Sequence, residues 1–232
     1  TMNNSIIKAH NLLCESAEDE MVLCESWYHG TPDSREVDKN GFADKKDTIT
    51  YIEDPQKLKI HQDKMQDARD NGDMDEYHKL LDMTSDFKKS YTYIKPVFLS
   101  DKRQVASTYA DANRAFDYQN ANESTYEVEV NCNKIATIKA IGDRFRFISV
   151  DKVKKGFMAS NISEDEIDKT ISMFNFYVAN NKGISTDVLS AIGSFLGFDC
   201  VDVVGVLDSY NGGRVRSTVK MVLKPSTIKI KK

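Results

Sequence analysis

The chain has 232 residues and a net charge of −4, and 40% of its residues are hydrophobic while 29% are charged. This length is enough for one large domain or two small ones, and the composition, with only 11 Gly and 4 Pro, excludes collagen-like, low-complexity and wholly disordered chains. The negative net charge argues against a protein that coats nucleic acid by bulk electrostatics, and the absence of a run of about 18 apolar residues argues against a transmembrane helix.

The first elements predicted along the chain are a short helix and a strand. Residues 4–16 place Ile6, His10 and Leu13 on one helical stripe, which predicts an amphipathic helix. A strand is predicted over residues 21–29, and it ends at three turn-forming residues, Gly30-Thr31-Pro32.

Residues 53–89 predict a helical hairpin inserted into the domain. Asp54 is a suitable N-cap, and Pro55 suits the first helical position. Apolar residues then recur at helical spacing over residues 58–81, with one interruption at the Asn-Gly-Asp sequence of residues 71–73. Because the apolar stripe is narrow, we expect the hairpin to cover part of the domain, as a lid, a docking surface or an ornament.

Beyond the hairpin the signals for strands are concentrated. Helices are predicted over residues 102–116, from a capping box at Ser163 to about residue 180, and over residues 186–196. The predicted strands are residues 94–100, 125–130, 134–138, 144–150, 199–207 and 215–224. The tail of residues 224–232 alternates Lys with Ile, which is typical of an edge strand that lysines protect from aggregation. These elements predict a single α+β domain over residues 1–232 with a mainly antiparallel sheet.

The cysteines and the start of the chain bear on cellular location. The four cysteines are widely spaced, with no C-x-x-C pair and no Cys and His at zinc spacing: Cys14, Cys24, Cys132 and Cys200. We therefore expect four separate reduced cysteines and no metal site. The first thirty residues lack the basic start and the apolar stretch of a secretory signal, so the sequence predicts a cytoplasmic protein without a membrane partner.

Three separated segments follow one known plan. The first is Trp-Tyr-His-Gly-Thr at residues 27–31. The second is Pro-Val-Phe-Leu-Ser at residues 96–100 and the helix behind it, in which Tyr109 follows Phe98 by 11 residues. The third is the closing strand, which runs into Pro-Ser-Thr-Ile-Lys over residues 219–229. In this order and spacing the segments resemble the motifs of ADP-ribosyltransferases of the diphtheria-toxin and PARP-like class, and the ending resembles phage and bacterial members.

The resemblance implies an ADP-ribosyltransferase-like split antiparallel sheet with an N-terminal helix, and NAD as the substrate. It also implies that His29 hydrogen-bonds a ribose hydroxyl and that Thr31 supports the adjoining turn. Nicotinamide is a flat ring with a carboxamide, so Phe98 and Tyr109 suit its faces, and Gly30 lets the backbone approach the carboxamide. The NAD site implied in this way consists of His29, Gly30, Thr31, Phe98, Ser100 and Tyr109.

The third segment departs from the family pattern. The catalytic glutamate of the family begins the closing strand, and here that position is Val219, which cannot stabilise positive charge on the sugar. The nearest acids are Asp208, Asp202 and Asp199. Asp208, on the predicted turn, reaches the site only if residues 211–213 fold back over it. Ala106 is a second departure, because some family members have there a serine that binds the carboxamide. The expected catalytic residues are His29, Tyr109 and Asp208.

The resemblance leaves two functions open. The first is a mono-ADP-ribosyltransferase that uses NAD to modify a macromolecule, with a protein as the first expected target and a nucleic acid as the alternative. Without the glutamate, an acceptor that supplies its own carboxylate would give substrate-assisted catalysis, and chain elongation is not expected. The second is a catalytically inactive relative that binds a partner. A tRNA 2′-phosphotransferase is disfavoured because its Arg-x-His-x-His run is replaced by Phe-Leu-Ser-Asp-Lys at residues 98–102.

Overall fold

The structure is a computed structural model that describes residues 26–111, 124–144, 147–175, 183–210 and 213–231. For residues 208–210 and 213–214 it describes the backbone alone. The helix predicted over residues 4–16 and most of the strand predicted over residues 21–29 lie outside the described residues. The helix predicted over residues 102–116 ends earlier, at Ala110, and Asp111 after it has an extended backbone.

Seven strands form one sheet, and their order places the three sequence motifs side by side. From one edge to the other the strands are β11 (Ile228–Ile230), β5 (Ser124–Val130), β1 (Trp27–Thr31), β4 (Val97–Ser100), β10 (Gly213–Val222), β9 (Cys200–Tyr210) and β6 (Ile135–Lys139). Neighbouring strands are antiparallel except β6 and β9, which are parallel. The motifs occupy β1, β4 and β10, which are adjacent. The predicted edge strand in the lysine-rich tail is confirmed as β11.

Two further pairs of strands and seven helices complete the described part of the chain. The pairs are β2 (Lys46–Ile52) with β3 (Lys88–Ile94), and β7 (Phe147–Ser149) with β8 (Gly183–Ser185). The helices are α1 (Arg35–Asn40), α2 (Pro55–Asp70), α3 (Met74–Met83), α4 (Arg103–Ala110), α5 (Val150–Met158), α6 (Glu164–Phe174) and α7 (Thr186–Phe195). Short 3-10 helices span Thr84–Phe87 and Pro225–Thr227. The α+β class predicted from the sequence is confirmed.

The predicted helix starts are confirmed where the sequence supplies a capping side chain. Asp54 accepts a hydrogen bond from the amide of Lys57 at 3.0 Å and so caps α2, with Pro55 as its first residue. The Ser163 hydroxyl accepts from the amide of Glu166 at 3.3 Å and caps α6. Each bond satisfies an amide that has no partner within its own helix, which fixes where the helix begins.

Three predicted elements need correction. The strand predicted over residues 94–100 is interrupted at Pro96, which lacks an amide hydrogen, so β3 ends at Ile94 and β4 begins at Val97. The strand predicted over residues 144–150 is reduced to β7, and α5 follows it directly. The helix that begins after Ser163 ends at Phe174, earlier than the predicted end near residue 180.

The sheet separates two apolar clusters. On one face, Val219 and Met221 of β10 join the larger cluster, which the helices α5, α6 and α7 cover. On the other face, Leu99 of β4 and Val222 of β10 join a smaller cluster. We call these the Val219 face and the Lys220 face, since successive residues of a strand point to opposite sides.

One cysteine pair differs from expectation. The structure joins Cys132 and Cys200 in a disulfide, with their Cα atoms 6.1 Å apart. Their separation of 68 residues gave no sequence signal, because the pairing follows from the position of Cys200 at the start of β9, next to the segment between β5 and β6. The expectation of four separate reduced cysteines is therefore wrong for this pair, and Cys14 and Cys24 lie outside the described residues.

The helical hairpin α2–α3 lies at the far end of the β2–β3 ribbon. The ribbon begins at the pair Lys46–Ile94, next to β4, and its last pair is Ile52–Lys88, where the helices start. Seven residues of strand span roughly 20 Å, so the hairpin begins about that far from the start of β4. Tyr91 packs on Phe174 and fixes the ribbon against α6, with ring centroids 5.4 Å apart. This position disfavours a lid over β4.

Candidate functional site

The three sequence motifs meet around one small cavity, which we call the His29 pocket. It encloses about 150 Å³ between β1, β4, α4 and β10. Its lining residues are Tyr28, His29, Gly30, Phe98, Leu99, Ser100, Ala106, Tyr109 and Val219. Five of the six residues expected in an NAD site are in this lining. The sixth, Thr31, is outside it and closes the next turn, where its hydroxyl donates to the carbonyl of Asp33 at 2.9 Å.

Gly30 allows α4 to lie directly on β1. A Cβ atom at this position would stand 1.7 Å from the carbonyl oxygen of Ala106 and 3.0 Å from the amide nitrogen of Ala110. Both are backbone atoms of one helix, so a side chain at residue 30 could be admitted only by moving α4. The sequence-based reason for Gly30 was access of a ligand to the backbone. The structure adds a different reason, which is the contact between strand and helix that forms the pocket wall.

His29 links β1 to β4 where the strands stop pairing. The register between these strands contains the single pair Tyr28–Ser100, whereas β1 pairs with β5 along its whole length. Beyond that pair, His29 Nδ1 lies 3.1 Å from the carbonyl oxygen of Phe98. A carbonyl only accepts, so Nδ1 carries the hydrogen, and in the neutral ring Nε2 is then an acceptor. Burial lowers the pKa of His29, with the bond to Phe98 opposing it, which favours this neutral form.

Aromatic and hydroxyl side chains complete the walls of the His29 pocket. Tyr109 on α4 lines the cavity and is 52% exposed. Phe98 lies on the Val219 face and packs against the larger cluster. The Ser100 hydroxyl is buried and accepts from the amide of Lys102 at 3.1 Å, which leaves its own hydrogen as a donor. The pocket thus combines apolar walls with a few hydroxyl groups.

Val219, at the position of the family's glutamate, lines the pocket without a charge. It pairs with Ser100 across β4 and β10, and only 3% of it is exposed. The next residue, Lys220, points to the opposite face, where its Nζ lies 2.6 and 2.8 Å from the two carboxylate oxygens of Asp202. Asp202 is thus held on the Lys220 face and does not reach the His29 pocket.

Asp208 was expected on a turn, but the structure places it within β9. Its backbone is opposite Val215, four residues along β10 from Val219. That separation corresponds to about 13 Å of strand. The structure does not describe the Asp208 side chain or residues 211–212. The catalytic role expected for Asp208 required these residues to fold back over the site, so that role stays a prediction. Asp199 is paired with Lys224 and accepts from the amide of Lys134 at 3.1 Å, beyond the far end of β10.

Sequence reasoning missed one acid, Asp101. It directly follows Ser100 at the end of β4, and its Oδ1 accepts from the amide of Thr218 at 2.9 Å, while its own amide donates to the Thr218 carbonyl at 3.1 Å. Asp101 is therefore fixed beside the residue that precedes Val219. The register of β4 against β10 brings them together, and no local spacing in the sequence indicates it.

A larger cleft of about 990 Å³ lies between α2, α5 and α6. Its charged residues are partly paired with one another, as in the bridge of 2.5 Å between Lys154 and Asp168. Its lining contains none of the residues expected in an NAD site and no aromatic ring. The smaller His29 pocket is the better candidate, because three separated motifs converge on it and it offers apolar walls with a few polar groups.

Comparisons with known proteins add no assignment. No protein-family model, no curated protein and no solved structure matches this chain. Within the described ranges, no three His, Cys, Asp or Glu side chains gather as a metal site requires. None of the helices in those ranges has both the length and the apolar character needed to cross a membrane. The case for function therefore depends on the chemistry of the pocket.

Proposed function

We propose that this chain is an ADP-ribosyltransferase-like protein that binds the nicotinamide end of NAD in the His29 pocket and transfers ADP-ribose to a macromolecule. The observation that carries the proposal is the convergence of β1, β4, α4 and β10, which hold the three sequence motifs, on one cavity. A protein is the first expected acceptor and a nucleic acid the alternative. We place the activity in the cytoplasm, which is the host cytoplasm if a phage encodes the chain.

The size and walls of the pocket support a ring-binding role. Sites for whole drug-sized ligands usually enclose about 300–1,000 Å³, so a cavity of about 150 Å³ suits one ring of a dinucleotide and leaves the rest in the open cleft. The exposed ring of Tyr109 offers a stacking surface. His29 Nε2, as an acceptor, suits a ribose hydroxyl. The hydroxyl of Ser100 can donate to a carboxamide oxygen.

The proposed transfer breaks the bond between the nicotinamide nitrogen and the ribose C1′ atom. The electron pair of that bond leaves with nicotinamide, which becomes neutral, while an acceptor nucleophile bonds to C1′ and gives up its proton to solvent or a base. Val219 offers nothing to the positive charge that develops on the sugar. Transfer therefore needs a carboxylate from elsewhere in the chain or from the acceptor.

The second candidate is a non-enzymatic module that binds a partner through the same surface. The observation that favours it is the burial of Val219, which gives the pocket a fully apolar side at the position of the family's glutamate. The two candidates differ in their need for NAD, so they can be separated by binding.

The test combines calorimetry with NAD and incubation of the full chain with labelled NAD and a cell lysate. The proposal predicts micromolar binding and a labelled macromolecule, with binding about tenfold weaker and labelling reduced in Tyr109→Ala. Tyr77→Ala, which changes a tyrosine on the distant α3, serves as the matched control and should behave as the wild type. Binding of NAD without any labelled product would reject transfer, and no binding at millimolar NAD would favour the partner-binding module.

A further inference from the structure

We infer that Asp101 supplies the carboxylate that the closing strand lacks, and that it faces the positive charge of the bound nicotinamide riboside. This inference rests on the proposed function, since it concerns the same pocket. In the family pattern the acid is on the closing strand, which is β10 here, whereas Asp101 follows the end of β4. The result is a specific substitute for the valine at residue 219.

The position of Asp101 follows from the pairing of β4 with β10. Ser100 and Val219 are direct partners, and both line the His29 pocket. Asp101 extends this ladder by one residue, with two bonds to Thr218 of 2.9 and 3.1 Å. Because the amides of a strand lie in the plane of the sheet, the Asp101 carboxylate is held in that plane, beside the Ser100–Val219 pair. Asp101 is not itself among the lining residues of the pocket, but it adjoins Ser100, which is, and it is bonded to the residue that precedes Val219.

The other described acids near this level of the sheet are held elsewhere. Asp202 lies on the Lys220 face, with both of its oxygens bonded to Lys220. Glu127 lies level with Val219 but three strands away, which is about 14 Å, and it accepts from Lys231 at 3.0 Å. Asp101 alone among these three is adjacent to a residue that lines the pocket next to Val219.

The surroundings of Asp101 suit a carboxylate that attracts a positive charge on a ligand. The side chain is half-buried, and burial raises its pKa, while the amide of Thr218 and the neighbouring Lys102 oppose that shift. A carboxylate in such a place attracts a nearby positive charge more strongly than one in open water does. The nicotinamide ring of NAD+ carries a positive charge and that of NADH does not. Asp101 should therefore favour binding of the oxidised form, and it should stabilise the positive charge that develops on C1′ during transfer.

The test compares the affinities of NAD+ and NADH for the wild-type chain and for Asp101→Asn. The asparagine keeps an oxygen that accepts from Thr218, so it removes the charge with little change in shape. We expect the preference for NAD+ over NADH to fall by about tenfold, which corresponds to about 1.4 kcal/mol. Asp54→Asn is the matched control, because Asp54 also accepts a backbone amide but lies at the start of α2. It should keep the wild-type preference.

A gain-of-function variant and the wild-type chain itself keep the test independent of one substitution. Val219→Glu in the Asp101→Asn background should restore both the NAD+ preference and the transfer of label. A wild-type chain that binds NAD+ and NADH equally, or an Asp101→Asn chain with the wild-type preference, overturns the role of Asp101 while leaving NAD binding in place. A wild-type chain that binds neither dinucleotide overturns the proposed function and this inference together.

Discussion

Val219 and Lys220 are consecutive in β10, yet they belong to opposite kinds of environment. Beside Val219 lies a small cavity with apolar walls and an exposed aromatic ring, and it reaches through to Leu99 and His29, which contact the smaller cluster. The Lys220 face holds a buried ion pair with Asp202, and the ammonium lies 4.6 Å from the ring centroid of Trp27. The cavity beside Val219 can receive a ligand, whereas the charged side chains on the Lys220 face are already paired with each other.

This difference indicates which residues of the sheet affect stability and which affect ligand binding. Buried charges that are paired and hydrogen-bonded belong to the structure, because removing one partner leaves the other without compensation. An exposed aromatic ring beside an apolar cavity contributes little to the stability of the free protein, and it gains contacts when the ring of a ligand binds. Changes on the Lys220 face should therefore affect mainly stability, and changes on the Val219 face mainly binding.

The largest expected effect breaks the wall of the His29 pocket itself. Gly30→Ala should lower the free energy of unfolding by more than about 3 kcal/mol, because the new Cβ would meet the Ala106 carbonyl and force α4 away. Urea denaturation measures this loss. Gly72→Ala is the control, since its Cβ meets nothing within 4 Å and only its φ of 75° is unfavourable, at a cost of about 1 kcal/mol. Equal and small losses would contradict the proposed contact.

Lys220→Met tests the ion pair on the opposite face. It should lower the free energy of unfolding by about 3 kcal/mol, because Asp202 would remain buried without its partner. Replacing both residues, as Lys220→Met with Asp202→Leu, should recover most of the loss. Trp27 is the only tryptophan, so its fluorescence reports both the unfolding and the change beside its ring. Binding of NAD should be unchanged in the double variant, and a lost affinity there would contradict the separation of the two faces.

Tyr109→Ala should show the reverse pattern. The side chain is 52% exposed, so its loss should change the free energy of unfolding by less than about 1 kcal/mol. The affinity for NAD should fall about tenfold, because the ring loses its stacking partner. Calorimetry and urea denaturation on the same samples separate the two effects, and Tyr109→Phe should retain wild-type binding. A large loss of stability would show that Tyr109 belongs to the core instead.

The smallest expected effect concerns pH. Burial places the pKa of His29 below its ordinary value of 6.5, so the unfolded chain takes up a proton before the folded one does. The contribution of His29 to stability is therefore complete above pH 6.5 and is lost as the pH falls through its lowered pKa. In His29→Gln, the dependence of unfolding free energy on pH should be flatter in that acid range. An identical slope in both proteins would show that the ring is protonated in the folded state.

Local chemistry was enough to predict some elements of this fold. Asp54 and Ser163 cap helices through bonds to amides three residues away, so their roles are visible in the sequence. Gly197 follows the helix predicted over residues 186–196, and its φ of 74° is typical of a glycine that ends a helix. The helix α5 was missed because the β-rich run that leads into it dominates the pattern. Its buried Val153 and Phe157 are at helical spacing and carried the missing signal.

The pocket was predictable to the extent that its residues lie in separate motifs. His29, Phe98 and Tyr109 come from two separate motifs and line one cavity. The spacing of the motifs could not reveal that residue 30 must be a glycine because a helix packs directly on it. Asp101 could not be predicted, because its place beside Thr218 is set by the register between strands more than 100 residues apart. For the same reason, the distance between Asp208 and Val219 was not visible in the sequence.

A crystal structure of the chain with NAD tests the central claim most directly. We predict density for the nicotinamide ring inside the His29 pocket, against Tyr109 and beside Val219, with the ribose next to Asp101. A ring bound elsewhere, such as in the cleft between α2 and α6, would contradict it. So would a pocket that stays empty at a concentration of NAD that saturates binding in solution.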